Sequence, residues 1–146
     1  MTRHFAVVGS GSIGIGWAIV FARAGNRVKV YDLEKSRLDI FTQGVNERLH
    51  VLQEEGLLNE GADTVASRIS TSLDLAESLE GAEYIQECVP EQLEIKKNLF
   101  ATLEALAGDS AIIASSSSAL KISSFTSDLS TRTRCLVVHP ANPPYL

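Results

Sequence analysis

Gly9, Gly11 and Gly14 stand at G-x-G-x-x-G spacing within HFAVVGSGSIGIGWA. Glycines in this pattern act by leaving the backbone bare. The first permits a tight turn, the second lets the main chain approach a pyrophosphate with no Cβ in the way, and the third lets a helix pack closely on the strand before it. Phosphates would then be held by N–H groups at the helix N-terminus, with Ser12 and Ile13 joining the glycines as cofactor-binding positions and no lysine required. Eighteen residues past Gly14 stands Asp32. A carboxylate there can accept both hydroxyl hydrogens of an adenosine ribose and would repel a 2'-phosphate, which selects NAD over NADP. The plainer alternative is that Asp32 caps the following helix and the glycines are structural. FAD would use a similar turn, whereas the absence of GxxxxGK[ST] argues against a P-loop kinase or GTPase.

A second group of candidates lies near the C-terminal end. His139 follows the apolar run CLVV, and its ring could take the proton of a substrate hydroxyl near neutral pH. Ser115 to Ser118 offer four hydroxyls among which the residues alone do not select. Ser118 could bond a substrate oxygen beside His139, or could simply N-cap a short helix. Asn142 could orient a histidine or a substrate carbonyl, or bond its own Pro-rich turn. Glu87, Glu91 and Lys96 cluster further upstream. Glu91 and Lys96 are five apart and need not pair with one another. Either could reach the nicotinamide-ribose region, or the cluster could be an acidic helix start followed by solvent-facing charges. His4 and His50 have no comparable setting, no HExxH occurs, and Cys88 and Cys135 read as strand core, so no metal is expected.

These groups need elements to position them. Apolar runs ended by glycine or polar residues predict strands over 4–8, 27–31, 68–70, 83–89, 111–115 and 135–138. Between them, 3.6-residue periodicity predicts a helix with Ile13, Trp17, Val20, Phe21 and Ala24 on one stripe, closed by Gly25. A long helix follows, with Leu38, Phe41, Val45, Leu49 and Leu52 inward and Gly56 at its end. Shorter helices are expected over 74–79 and 121–126, and another with Leu93, Leu99, Leu103 and Leu106 buried. Residues 57–66 read as a polar connection or as the second arm of a helical hairpin. Strand and helix alternate throughout, and parallel strands need crossovers. The expectation is therefore a Rossmann-type, doubly wound α/β fold: a mostly parallel six-stranded sheet with helices on both faces. His139 would then lie at the carboxyl ends of the strands, where such sheets bind ligands.

The whole chain is 146 residues with 45% hydrophobic and 21% charged residues, the profile of one globular domain. Thirteen Lys plus Arg against eighteen Asp plus Glu give a net charge of −5. No positive excess is available for nucleic acid or an anionic membrane. No run reaches the ~18 apolar residues of a membrane span. Two isolated cysteines and an N-terminus without a signal-peptide pattern lead us to expect a reducing, cytoplasmic setting. HPANPPYL, with no element after it, reads as the edge of a domain excised from a longer protein, the alternative being a natural tail that is merely irregular.

Taken together, GSGSIGIGWA, IQECVPEQLEIKKNLF, SSSSAL and HPANPPYL resemble the NAD-binding domain of the 3-hydroxyacyl-CoA dehydrogenase family, and within it the lambda-crystallin or L-gulonate 3-dehydrogenase branch. The resemblance runs over essentially all 146 residues. It implies that Gly9, Gly11, Gly14 and Asp32 contact the dinucleotide and its ribose, and that Glu91 and Lys96 lie near the nicotinamide ribose. It also implies that Ser118 binds substrate, that His139 is the general base and that Asn142 belongs to the same motif. The expected activity is hydride transfer to or from the 3-hydroxyl of a small hydroxy acid such as L-gulonate. The alternatives are a 3-hydroxyacyl-CoA substrate and a non-catalytic NAD-binding structural protein. The family's histidine-orienting glutamate and its helical substrate and dimerisation domain would lie beyond residue 146. On that reading the full protein is a homodimer and this segment alone catalyses little.

Overall fold

A computed structural model describes residues 2–146. Six strands, β1 (His4–Val8), β2 (Arg27–Tyr31), β3 (Ile69–Ser72), β4 (Tyr84–Glu87), β5 (Ile112–Ser115) and β6 (Cys135–Val137), form one sheet in the order β3-β2-β1-β4-β5-β6. Every pairing is parallel. The helices are α1 (Ser12–Arg23), α2 (Lys35–Glu54), α3 (Ala62–Ala66), α4 (Leu75–Leu79), α5 (Leu93–Leu106) and α6 (Ser123–Thr126), with a 3-10 turn over Ser130–Arg134. The chain winds outward from β1 through β2 to β3, then returns to the other side of β1 as β4. This reversal opens a crevice at the carboxyl ends of β1 and β4.

The central strand shows how five residues serve two cores. Side chains alternate across a strand, so Val7 enters a core on one face with Ile15, Ile19, Phe41 and Leu49. Ala6 and Val8 enter the other, with Ile85, Phe100, Leu103 and Ile113. Phe5 adds an edge-to-face contact with Phe21, ring centroids 4.9 Å apart. With both faces covered, the strands lack the polar face that would betray their register, the usual condition of an all-parallel sheet.

Several predicted details differ. The α1 stripe was expected along Ile13, Trp17, Val20, Phe21 and Ala24. The buried residues are instead Gly14, Ile15, Gly16, Ala18, Ile19, Phe21 and Ala22, while Ala24 is exposed. A helix with the sheet on one side and α2 on another loses its single-stripe pattern. In α5 the buried residues are Lys96, Phe100 and Leu103, and Leu106 is exposed. Of residues 57–66, 57–61 are a connection and 62–66 form the short helix α3, so the stretch combines the two alternatives. The fourth strand stops at Glu87, which leaves Cys88 in the loop beyond it, half-buried.

Candidate active site

Gly9 ends β1 with φ +108°, a conformation that side-chain-bearing residues rarely adopt, and a Cβ there would stand 2.7 Å from the Cys88 carbonyl oxygen. At Gly14 an added Cβ would lie 2.0 Å from the Gly9 carbonyl oxygen, so the turn closes on the helix it starts. Gly11 is different. Nothing lies within 4 Å of a Cβ built there, so its bare side faces open space. The first-turn N–H groups of α1 have no acceptor in the helix by construction, no side chain caps them, and no acidic residue stands in that turn. Unopposed donors beside open space are what an anionic group requires.

That space is a cleft of about 770 Å³ between the Gly9–Ile13 turn and Asp32 on one side and Val89, Pro90 and Leu99 on the other. Asp32 is 8% exposed. Its Oδ2 accepts from the Ser10 N–H at 3.0 Å and the Ser10 hydroxyl at 2.6 Å, and Oδ1 accepts from the Leu33 N–H at 2.8 Å. Burial opposes its charge, but the bonds from Ser10 and Leu33, with Arg37 nearby, outweigh it and hold the carboxyl below its ordinary value. The helix-capping alternative for Asp32 fails, because the N-cap of α2 is Glu34. Asp32 is instead tied to the glycine turn and remains an anion on the cleft wall. A dinucleotide fits these residues: backbone donors for its phosphates, a carboxylate for a ribose diol and apolar walls for its rings.

The four consecutive serines do four different things. Ser115 donates to Glu87 Oε2 at 2.5 Å. Ser116 Oγ accepts from Trp17 Nε1 at 3.1 Å and from Gln86 Nε2 at 2.8 Å. Ser117 donates to Glu91 Oε1. Ser118 Oγ lies 2.8 Å from His139 Nε2, where either group donates according to the ring tautomer. Both are exposed, just past the carboxyl ends of β5 and β6. Ser118 is not a helix cap, since α6 begins at Ser123 after an Ile122 N-cap.

Glu91 and Lys96 do pair, with Lys96 Nζ 3.3 Å from Glu91 Oε2. The stronger partner of Lys96 is Glu87, whose two oxygens accept from Nζ at 2.7 and 2.8 Å with both side chains at most 1% exposed. Glu91 Oε1 accepts from the backbone N–H groups of Ser118, Ala119 and Leu120 at 3.1, 2.9 and 3.1 Å. Burial raises its pKa, but the Ser117 hydroxyl, the Ala119 and Leu120 N–H groups and Lys96 together pull the carboxyl down to about 2. Both residues thus brace the loop that carries Ser118. Glu87, flanked by Ser115 and Lys96, is the centre of this network, and residue type alone did not mark it as buried. Asn142 is exposed and hydrogen-bonds neither His139 nor Ser118. Cys88 lines the cleft, and burial pushes its thiol up to about 12.

Six parallel strands, a glycine turn opening onto a cleft and an acidic residue closing β2 define a dinucleotide-binding Rossmann domain. The model of the 3-hydroxyacyl-CoA dehydrogenase NAD-binding domain matches residues 4–146, and the chain belongs to that family. It is 46% identical over 142 residues to a lambda-crystallin homolog of Bos taurus, covering 96% of this chain and 44% of that protein. It is 38% identical over 144 residues to an L-carnitine dehydrogenase of Bacillus cereus, covering 99% and 43%. A solved 3-hydroxybutyryl-CoA dehydrogenase from Escherichia coli superposes with a TM-score of 0.92 at 28% identity, covering 99% of this chain and 30% of that one. The chain therefore spans less than half the length of the curated relatives it matches, and it is an NAD-binding domain.

Proposed function

We propose that this domain is the cofactor-binding half of an NAD-dependent dehydrogenase acting at the 3-hydroxyl of a small hydroxy acid, with L-gulonate as the substrate choice. The observation that carries the reading is the Ser118–His139 pair, 2.8 Å apart, at the carboxyl ends of β5 and β6. A bound NAD supplies the hydride acceptor for oxidation and, reduced, the donor for the reverse. In oxidation, a substrate oxygen within reach of both groups receives a hydrogen bond from the Ser118 hydroxyl and gives its proton to His139 Nε2; reduction returns that proton. For Nε2 to accept, Nδ1 must carry the other proton, a tautomer that an orienting carboxylate enforces. We place that carboxylate beyond residue 146, together with the helical domain that closes the substrate pocket and forms a homodimer. The name of the family and that of the Escherichia coli relative support a second substrate class, a 3-hydroxyacyl-CoA.

A fluorescence titration of the 146-residue chain with NADH tests the cofactor half of the reading. Saturable binding, weaker NADPH binding and a loss of roughly tenfold or more in affinity in Asp32→Ala are expected. A folded chain that treats both nucleotides alike removes Asp32 from the site. The substrate is decided on the protein carrying the remaining domain, by comparing turnover of L-gulonate with that of 3-hydroxybutyryl-CoA. Strong preference for the thioester overturns the hydroxy-acid choice, and turnover undiminished in His139→Ala removes that histidine from the chemistry.

A further inference from the structure

We propose that Gly16 and Arg23 are positioning residues for His139, seating the segment that carries it; the inference rests on the role just given to the Ser118–His139 pair. Residues 139–146 leave β6 and cross onto α1. At one end the Val138 N–H donates to the Ser115 carbonyl at 2.9 Å. At the other, Pro144 lies so close to α1 that a Cβ on Gly16 would stand 2.6 Å from both its Cδ and its Cγ, and 3.2 Å from its Cβ. Tyr145 packs against the core that contains α1. Its carbonyl oxygen accepts from Arg23 Nη1 at 2.6 Å, while Arg23 Nη2 donates to the Leu57 carbonyl at 2.8 Å. Gly16 and Arg23 are seven residues apart, two helical turns, and so share one face of α1.

This seat matters because the imidazole is exposed and its one side-chain hydrogen bond among the described residues is to Ser118. Its place is therefore set by its own main chain, and that main chain is held at both ends. A shift of about 1 Å at a reacting group is enough to cost on the order of 100-fold in rate. Gly16 is not among the residues lining the dinucleotide cleft, whose share of α1 ends at Ile13. Its glycine identity answers to Pro144, and the two roles on α1 are separable.

The test uses the 146-residue chain and two readouts, NADH affinity and the NMR signature of the His139 ring, its chemical shifts at one fixed pH, with Ser118→Ala defining the signature of a lost pairing. Gly16→Ala is expected to move the His139 ring shifts to the Ser118→Ala values while NADH affinity stays within about twofold. Adding Pro144→Ala, which removes Cγ and Cδ, should return the ring most of the way to wild type. Arg23→Gln adds no bulk and should produce the same displacement to a lesser degree, which covers the case where Gly16→Ala does not fold. An unchanged His139 signature in folded Arg23→Gln, or a Gly16→Ala shift that Pro144→Ala does not reverse, overturns the proposal. Failure of wild type to bind NADH would count against the proposed function instead, since the His139 readout needs no nucleotide.

Discussion

One oxygen, Glu91 Oε1, accepts from Ser117 Oγ and from three consecutive backbone N–H groups, those of residues 118–120. A charged acceptor holds such a set more firmly than a neutral one, so Glu91→Gln should loosen the serine loop. The pH dependence follows from the direction of the shift. With a folded pKa of about 2 against an ordinary 4.5, ionised Glu91 contributes its full stabilisation above about pH 4.5 and loses it as pH falls to 2. Its carboxylate is partly open to water, so the contribution is on the order of 1 kcal/mol after screening. Denaturant melts of wild type and Glu91→Gln should differ by that amount at pH 7 and converge near pH 2; a gap that persists at pH 2 would assign the effect to lost packing rather than charge. The Cys88 thiol, pushed up to about 12, should react with alkylating reagents at neutral pH many times more slowly than a free cysteine. Mass spectrometry after timed labelling checks this.

At the scale of elements, β4 sends Gln86 to one face of the sheet and Glu87 to the other, where α5 meets it with Lys96. Removing one partner of so buried a pair leaves an uncompensated charge, and Lys96→Met should cost about 3–5 kcal/mol. Converting Glu87 to Gln in the same chain should recover a large part, and the double-mutant cycle by urea denaturation measures it. This network also marks where sequence reading stopped. Strands 4–8 and 27–31 were legible to the residue, because apolar runs end there at Gly9 and Asp32. The glycine turn and Asp32 were legible because their chemistry depends on spacing along one chain. The burial of Lys96 was not, since a lysine's type predicts exposure and only the packing of α5 on the sheet brings it against Glu87 at the end of β4. Among the four serines the choice fell to contacts over long separations: Ser116 meets Trp17 99 residues away and Ser118 meets His139 21 away. The α1 stripe was misplaced for a related reason, since burial on more than one side erases periodicity.

For the whole molecule, ligand linkage joins the cleft to the fold. NADH that binds the native chain alone should stabilise it by about 2.7 kcal/mol at a hundredfold excess over Kd. A domain of this size should then melt about 4 °C or more higher. A thermal scan that rises with NADH concentration in wild type and much less in Asp32→Ala would join the cleft to global stability. No rise in wild type would mean that the nucleotide does not favour the native state.

The central strand carries a further consequence, for synthesis. β2, the partner on one edge of β1, is made soon after it, but the other edge has no partner until β4 is made, Phe5 lying opposite Tyr84 and Val8 opposite Glu87. At about 5–20 residues per second, the ribosome needs roughly 4–16 s to deliver those roughly 80 residues. Throughout that interval the nascent chain presents HFAVV, the strand at the centre of both cores, with one row of backbone donors and acceptors uncovered. The first five residues of the sheet are thus the ones a growing chain must shield longest.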